Sequence, residues 1–452
     1  MLGGDFIINK KLFLKLILVL VFILSINLSI YIFSISANAS EINYVDYKVK
    51  ITKKHTMLKV GLMEDIIVKI NPNLSKQINK GNLIWKSSNE DIVEVNMEGK
   101  IFGKNIGKSR VTVQTKDGKY SDFVDVKVVN DIDYKIYNPY KNINWSKVKT
   151  LKSNLHCHTN KSDGKNTIQE VVDAHEKFGY DVLSITDHNK VTYPWNDSSK
   201  GDSSLKMTEN LKGIPGNEYS YKGQHHINGY FVKKNKSYEK EVDVLRHIAR
   251  QGGLSHFNHP GGYKKDYMWY INFYKRFNSL IGLEVINNRD GCSKDRILWD
   301  DILTEMIYKR DIYGFANADL HRLDHIESSY NMMLLNNEFT NRRYKNAMKN
   351  GEFYFVARVC EENNRMYDDA VDSPFITNIE VDNKNDTIKI EGKNIKNIEW
   401  IGSNSRYIGN GDILKLNEVT QAEPYVRAVI KGDGGVAFTQ PFKIIAREKI
   451  IS

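Results

Sequence analysis

Between Leu151 and Arg358, short apolar runs alternate with helix-patterned stretches, and five of these βα units end in histidine, aspartate or glutamate. That arrangement limits the fold more than any other feature of the sequence. Strand runs separated by helices imply a parallel sheet or a barrel, and polar residues at the carboxyl ends of such strands lie where α/β active sites are built. Thr167-Ile168-Gln169-Glu170 reads as a capping box. Ile168, Val171, Val172 and Phe178 follow at helical spacing, and Gly179 stops the helix. The periodicity then predicts a buried strand over 182–186, a helix over 242–250 and a strand from Leu254. A strand over 281–286 follows, then a helix over 297–308 leading to a strand at Tyr313.

The polar strand ends form a series. In Asn154-Leu155-His156-Cys157-His158 the two imidazoles are two residues apart, so on a strand they share a face, as two ligands of one metal must. Asp163 follows in Ser162-Asp163-Gly164, a turn able to fold a carboxylate back toward them. His188 lies in Thr186-Asp187-His188, Glu218 follows Pro215-Gly216-Asn217, and His225-His226 precedes Ile227. His259-Pro260 ends the run from Leu254, and Asp319 and His321 are again two apart. Buried carboxylates and imidazoles need partners, and a cation cluster supplies them together. Mixed imidazole and carboxylate donors suit zinc, manganese or iron. His256, three residues before His259, faces the other way on a continuous strand. His175 and His247 fall in helices and read as ordinary core or surface residues. Asp187 reads as an outer carboxylate that orients a ligand, and Cys157 should face away from the cations.

In their order, His-x-His, Ser-Asp-Gly, Thr-Asp-His, the glutamate, His-Pro and Asp-x-His resemble the PHP (polymerase and histidinol phosphatase) family of metallophosphoesterases, over about Leu151 to Arg358. The resemblance implies a distorted (β/α)7 TIM-like barrel with two or three divalent metals at its strand ends. By the same resemblance, His156, His158, Glu218 and Asp319 would hold one metal. Glu218 would bridge to a second shared with His226 and His259, and Asp163, His188 and His321 would hold a third. His226 is preferred to His225 because His-x-x-Gly-Tyr fits the family's spacing. Gly282-Leu283-Glu284-Val285-Ile286-Asn287 and Leu298-Trp299-Asp300-Asp301 look like the CehA-like branch, whose members need not be phosphatases.

Clustered cations lower the pKa of bound water and supply hydroxide near neutral pH. The expected activity is therefore hydrolysis of a phosphate ester by a metal-bridging hydroxide, with Glu218 and Asp319 at the catalytic centre and Arg322 and Arg289 as grips for an anionic substrate. Hydrolysis of a carboxylic or carbamate ester at the same site is the alternative within enzymes. A surface adhesion protein with an inactive barrel is the alternative outside them. No serine or cysteine nucleophile is required.

The flanks differ in pattern. From Glu41 to Asn130 short apolar runs alternate with polar turns, which predicts a β-sandwich. Trp85-Lys86-Ser87-Ser88-Asn89, Ile92-Val93-Glu94-Val95 and Gly99-Lys100-Ile101 resemble the bacterial Ig-like group 2 family, which implies a spacer or adhesive module. A polar link over 131–149 leads to the barrel, expected over 148–365. A small C-terminal β domain is expected over 372–447. Residues 1–39 carry lysines, an apolar run and Ala37-Asn38-Ala39, the pattern of a secretory signal peptide or, uncleaved, a membrane anchor. The remainder is thus expected outside the cell or on its surface. A net charge of +10 favours anionic partners such as phosphate esters or cell-wall polymers. Without a dense basic tract, no specific nucleic acid is expected. Cys157, Cys292 and Cys360 are widely spaced and odd in number, so no disulfide framework is read.

Overall fold

The structure, a computed structural model, describes residues 48–449 apart from 72–73, 75–77, 79, 207–209, 264, 289–292, 360–365, 369 and 420. Residues 1–39, expected to be a signal peptide or anchor, and Arg289, Cys292 and Cys360 lie outside the described residues. Among those that are described, no helix is long and apolar enough to cross a membrane.

The molecule is multidomain and strand-rich. At the N-terminal end, the strands His55–Lys59, Ser121–Val129, Gly107–Thr115 and Leu83–Ser87 form a sheet in that order, beside a second sheet of Met63–Asp65, Lys100–Gly103 and Val93–Val95. Alternation decides which side is buried: along Gly107–Thr115 the residues Ser109, Val111, Val113 and Thr115 point inward. Both sheets contribute to one apolar core, with Ile101, Val111, Val124 and Val126 at its centre. Gly99 is required there, since its φ is +84° and a Cβ would lie 2.4 Å from the Trp85 ring.

The central region carries the helices Ile168–Lys177, Glu241–Arg250, Tyr267–Arg276, Ser293–Met306 and Asn341–Asn350. Thr167 caps the first, with both halves of the capping box formed. One five-stranded sheet runs in chain order through Gly216–Tyr219, Ile227–Tyr230, Leu254–Phe257, Leu280–Asn287 and Tyr313–Asn317. A larger, eleven-stranded sheet contains Lys149–Asn154 and Val182–Leu183, followed on the other side by Ser329–Leu335 and Phe353–Ala357. The two sheets meet along two seams. At one, the backbone at His188 bridges Glu218. At the other, Cys157 bridges Leu320, and His158 N–H donates to Leu320 O at 2.8 Å. The second seam is extended by Asn331, whose side-chain amide accepts from Ala316 N–H at 3.1 Å and donates to Ala316 O at 2.7 Å.

Three sequence expectations need correction. The central strands are not uniformly parallel. Gly216–Tyr219, Ile227–Tyr230 and Leu254–Phe257 pair antiparallel, as does Lys149–Asn154 with Ser329–Leu335. Residues 220–226 are too short a connection for a parallel crossover. The polar link over 131–149 contains the strand Ile132–Tyr137, paired with Phe442–Glu448. Nor are the C-terminal strands set apart from the centre. Gly435–Phe438 pairs with Phe353–Ala357, so the strands after it extend the eleven-stranded sheet. One core runs from Cys157 and Leu183 to Trp400 and Ile444. Among the described C-terminal strands, Phe375–Asp382, Thr387–Lys393 and Ile413–Lys415 form a separate sheet.

The Ig-like segment is also docked rather than free. Lys50 pairs with Glu305 and Lys69 with Asp301, both on the helix Ser293–Met306. Lys53 reaches Glu423 at 3.2 Å, and Arg406 reaches Asp65 at 3.3 Å.

Candidate metal centre

Past Asn154 the chain stays extended, and His156 and His158 project to the same side with their Nε2 atoms 3.1 Å apart. Both are buried. Across the Cys157–Leu320 seam, Asp319 turns its carboxylate toward them in a left-handed conformation, φ +45°. Its Oδ1 lies 3.1 Å from His156 Nε2 and 3.3 Å from His158 Nε2. From the other seam, Glu218 places Oε1 3.3 Å from His156 Nε2 and Oε2 3.1 Å from His158 Nε2. Four donors from three segments thus converge on one point.

Glu218 continues the chain of contacts. Its Oε1 is 3.1 Å from His226 Nδ1 and 3.5 Å from His259 Nε2, and it also accepts from Asn258 Nδ2 at 2.7 Å. Its Oε2 is 3.1 Å from His188 Nδ1. Beyond His188, Asp163 Oδ2 lies 3.3 Å from both His188 Nε2 and His321 Nε2. Three sets have ligand atoms close enough to share an ion: His156, His158 and Asp319; His188, Glu218 and His226; and His158, Asp163, His188 and His321. All nine residues read as metal ligands from the sequence therefore lie in one contiguous cluster. His188, Asp319 and His259 (φ +30°) are fixed in or beside left-handed backbone, with Asn189 at φ +56° following His188. Such non-glycine strain persists only where surroundings impose it, and it gathers at functional sites.

The donor set fits cations. The carboxylate of Glu284 accepts from His156 Nδ1 at 2.7 Å, so that nitrogen carries the hydrogen and Nε2 is the atom able to ligate. Asp319 Oδ1 is buried and has no hydrogen-bond partner. A bare carboxylate oxygen facing imidazole nitrogens at this range needs a positive charge among them, either a metal or protons. Proton affinities show the same demand. Burial alone would lower His156 and His158, but the carboxylates of Asp319 and Glu218 reverse this, raising His156 well above its usual range and His158 to about 9. Burial would raise the two carboxyls, yet the imidazoles hold Glu218 well below the usual carboxylate range and lower Asp319 as well.

The other residues singled out in the sequence lie around or away from the cluster. His225 is sandwiched between Tyr263 and Trp269, with ring centroids 4.0 and 4.1 Å away, and its Nε2 meets Tyr270 Oη at 3.0 Å, so it faces away from Glu218. His256 is buried against Tyr230 Oη at 2.7 Å, and His175 against Asn154 Nδ2 at 2.8 Å. His247 packs beside Tyr219 and Tyr238. Asp187 contacts no imidazole. It accepts from Thr159 N–H and Oγ1 and from Ser162 Oγ, and Ser162 Oγ lies 3.4 Å from His158 Nδ1. Cys157 is buried in the main core. Arg322 does not join the cluster: it is turned to solvent and its Nε pairs with Asp324 at 3.2 Å.

Sequence reasoning missed Glu284, although a signal was present. It is the one carboxylate inside Leu280-Ile281-Gly282-Leu283-Glu284-Val285-Ile286, a run buried at every position. It also missed Asn258 and Tyr263, which carry no ligand-type signature. A cavity of about 540 Å³ opens beside His188 and His226 and is lined by Ser220, Tyr221, Lys222, Gln224 and Tyr263. A larger cleft of about 1060 Å³ lies between the Ig-like strands and Phe442–Glu448 and shares no residue with the cluster.

Comparison with known proteins adds three findings. Residues 47–124 match the bacterial Ig-like domain (group 2). No curated protein matches the chain. Among solved structures, the chain is similar to a two-domain protein containing a predicted PHP-like metal-dependent phosphoesterase from Bacteroides vulgatus, at 16% identity and TM-score 0.39, covering 66% of this chain and 96% of that one. It is also similar to PsfC from Pseudomonas syringae, at 11% identity and TM-score 0.34, covering 48% and 95%. An amidohydrolase from Chromobacterium violaceum with bound sulfate and no metal aligns at 16% identity and TM-score 0.25, covering 37% and 87%. Residues 47–124 thus match the group 2 bacterial Ig-like domain, and the solved structures similar to the chain include one containing a predicted PHP-like metal-dependent phosphoesterase.

Proposed function

We propose that this chain is an exported metal-dependent phosphoesterase of the PHP kind, in which the two central sheets are halves of one distorted barrel. The observation that carries the reading is the convergence on Glu218 of side chains from widely separated segments, at 3.1 to 3.5 Å. His156, His158, Glu218 and Asp319 would hold one divalent ion. Glu218, His226 and His259 would hold a second, and Asp163, His188 and His321 a third, of zinc, manganese or iron. Such ions, when bound, polarise a phosphoryl oxygen and acidify water.

The chain's own residues supply position and charge. Both Glu218 oxygens are committed to imidazoles and to Asn258, so Glu218 holds the cluster and is not free to move a proton. Lys222 lines the cavity beside His226 and offers an ammonium to an anionic ester, while Tyr221 and Tyr263 wall the space for the rest of the substrate. Arg322 would join only after leaving Asp324. Export is supported by the lysine-flanked apolar run before Ala39 and by the Ig-like domain that follows. In the larger cleft Lys108, Lys127 and Lys443 gather, which favours contact with an anionic wall polymer.

Metal analysis of the purified protein, paired with hydrolysis of p-nitrophenyl phosphate and p-nitrophenyl acetate, tests the reading. Two or three bound ions per chain and turnover of the phosphate ester are expected, with both lost in a His156→Ala/His158→Ala variant. Turnover of the acetate alone would transfer the site to carboxylic esters. Full ion content without turnover of any ester would favour a binding protein.

A further inference from the structure

Glu284 is fully buried in the strand Leu280–Asn287, and no part of the ligand set includes it. Its Oε1 accepts from His156 Nδ1 at 2.7 Å and from Asn317 Nδ2 at 2.9 Å. Its Oε2 accepts from the His259 backbone N–H at 2.8 Å and from Asn287 Nδ2 at 2.7 Å. An ionised carboxylate offers about four acceptor sites. All are taken, so Glu284 has no lone pair left for a metal and is not itself a ligand. The backbone around it is specialised too: the register against Tyr313–Asn317 shifts between Glu284 and Ile286, the signature of a bulge, a device that re-aims a side chain. Asn317 is in turn held by Asn331 Nδ2 at 2.9 Å.

Resting on the metal-centre reading, we infer that Glu284 is a positioning residue that serves two metal positions at once. Through Oε1 it fixes the hydrogen on His156 Nδ1, so that Nε2 faces Asp319 and Glu218. Through Oε2 it ties down the backbone of His259, whose φ of +30° is uncommon for a residue other than glycine. One carboxylate thereby links a ligand of the first position to a ligand of the second. This role differs from that of Glu218, which touches the ligating nitrogens themselves.

The test is Glu284→Gln, which keeps size but cannot accept four donors and points an N–H at one of them. Metal content is measured after competition with a calibrated chelator, and the His156 Nδ1–H proton is followed by NMR. The expected results are a 10- to 100-fold loss of affinity, affecting more than one ion per chain, and an upfield move of the His156 proton. His259→Ala, which removes a single ligand, should lose one ion only. Unchanged affinity and an unmoved resonance in Glu284→Gln would overturn the inference. If the variant does not fold, Asn287→Ala, which removes one donor to the same carboxylate, should weaken affinity several-fold in the same direction. A wild-type protein that binds no metal, with the resonance still moved in the variant, would sink the metal-centre reading while upholding the hold on His156.

Discussion

In His158, a proton and a bound metal ion would contend for the same nitrogen. Asp319 and Glu218 raise its affinity for the proton from an ordinary value of 6.5 to about 9, against the effect of burial. A group whose folded value is raised stabilises the fold fully below its unfolded value and ceases to as pH climbs through the folded one. The metal-free protein should therefore lose melting temperature between about pH 6.5 and 9, while the metal-loaded protein should not. Over the same interval the affinity for metal should rise, because fewer protons need to be displaced. Melting curves with and without metal, and chelator titrations at several pH values, check both slopes; parallel curves would contradict the account. The nine clustered residues were legible because histidine, aspartate and glutamate recur at strand ends, where packing alone gives no reason for them. Glu284 was harder to read, since its meaning depends on donors from residues 156, 259, 287 and 317, which only the fold brings near. Adjacency to His321 in sequence does not fix the direction of Arg322, and its own neighbour Asp324 pairs with it.

At the level of elements, the helices were the easiest to foresee. Thr167 and Gly179 bracket the first as a capping box and a left-handed stop, with φ +68° at the glycine. The helix Tyr267–Arg276 escaped notice because its aromatic residues crowd the pattern, and Trp269 on the less buried face blurs the stripe of Asn272, Lys275 and Arg276. Strand direction was also hidden, since alternation sets which face is buried and says nothing of the neighbour's polarity. The junction of Tyr313–Asn317 with Ser329–Leu335 shows how the centre is closed without a regular ladder. There the Asn331 amide stands in for a strand's backbone, satisfying both Ala316 groups and Asn317 Oδ1. Asn331→Ala would leave a buried N–H and a buried C=O unpaired, at about 1–3 kcal/mol for each such group. A fall in the urea midpoint of the expected size, accompanied by reduced metal content because Asn317 supports Glu284, is the predicted outcome. Destabilisation with full metal content would separate the seam from the site.

Across the whole molecule, the helix Ser293–Met306 is the common anchor. Asp300 forms a buried two-pronged pair with Arg427, at 2.9 and 2.7 Å, and takes Tyr425 Oη at 2.7 Å, clasping the C-terminal strands. On the same helix Asp301 and Glu305 meet Lys69 and Lys50 of the Ig-like part. Breaking a buried pair strands its partner's charge, at about 3–5 kcal/mol. Asp300→Ala should therefore lower the melting temperature steeply, while the replacement of both Asp300 and Arg427 by apolar residues should cost less. Equal losses in the two variants would show that the charge itself is not the issue. The sequence revealed three compositional regions, but not that one sheet and one core unite the second and third, because period-two strands look alike whether they stand alone or prolong a neighbour.

The spread of the ligands along the chain has a consequence for when the centre can exist. His158 and His321 come from opposite ends of the central region, and the Cys157–Leu320 seam must close before their rings meet, with centroids 4.4 Å apart. An ion held by His156, His158 and Asp319 would draw on both ends of that region, so it would be captured late, after assembly, and act as a seal on a finished structure. A chain threaded through a membrane unfolded would cross empty and take its metal from the medium it refolds in, so that availability there, as much as donor chemistry, would select which element the protein carries.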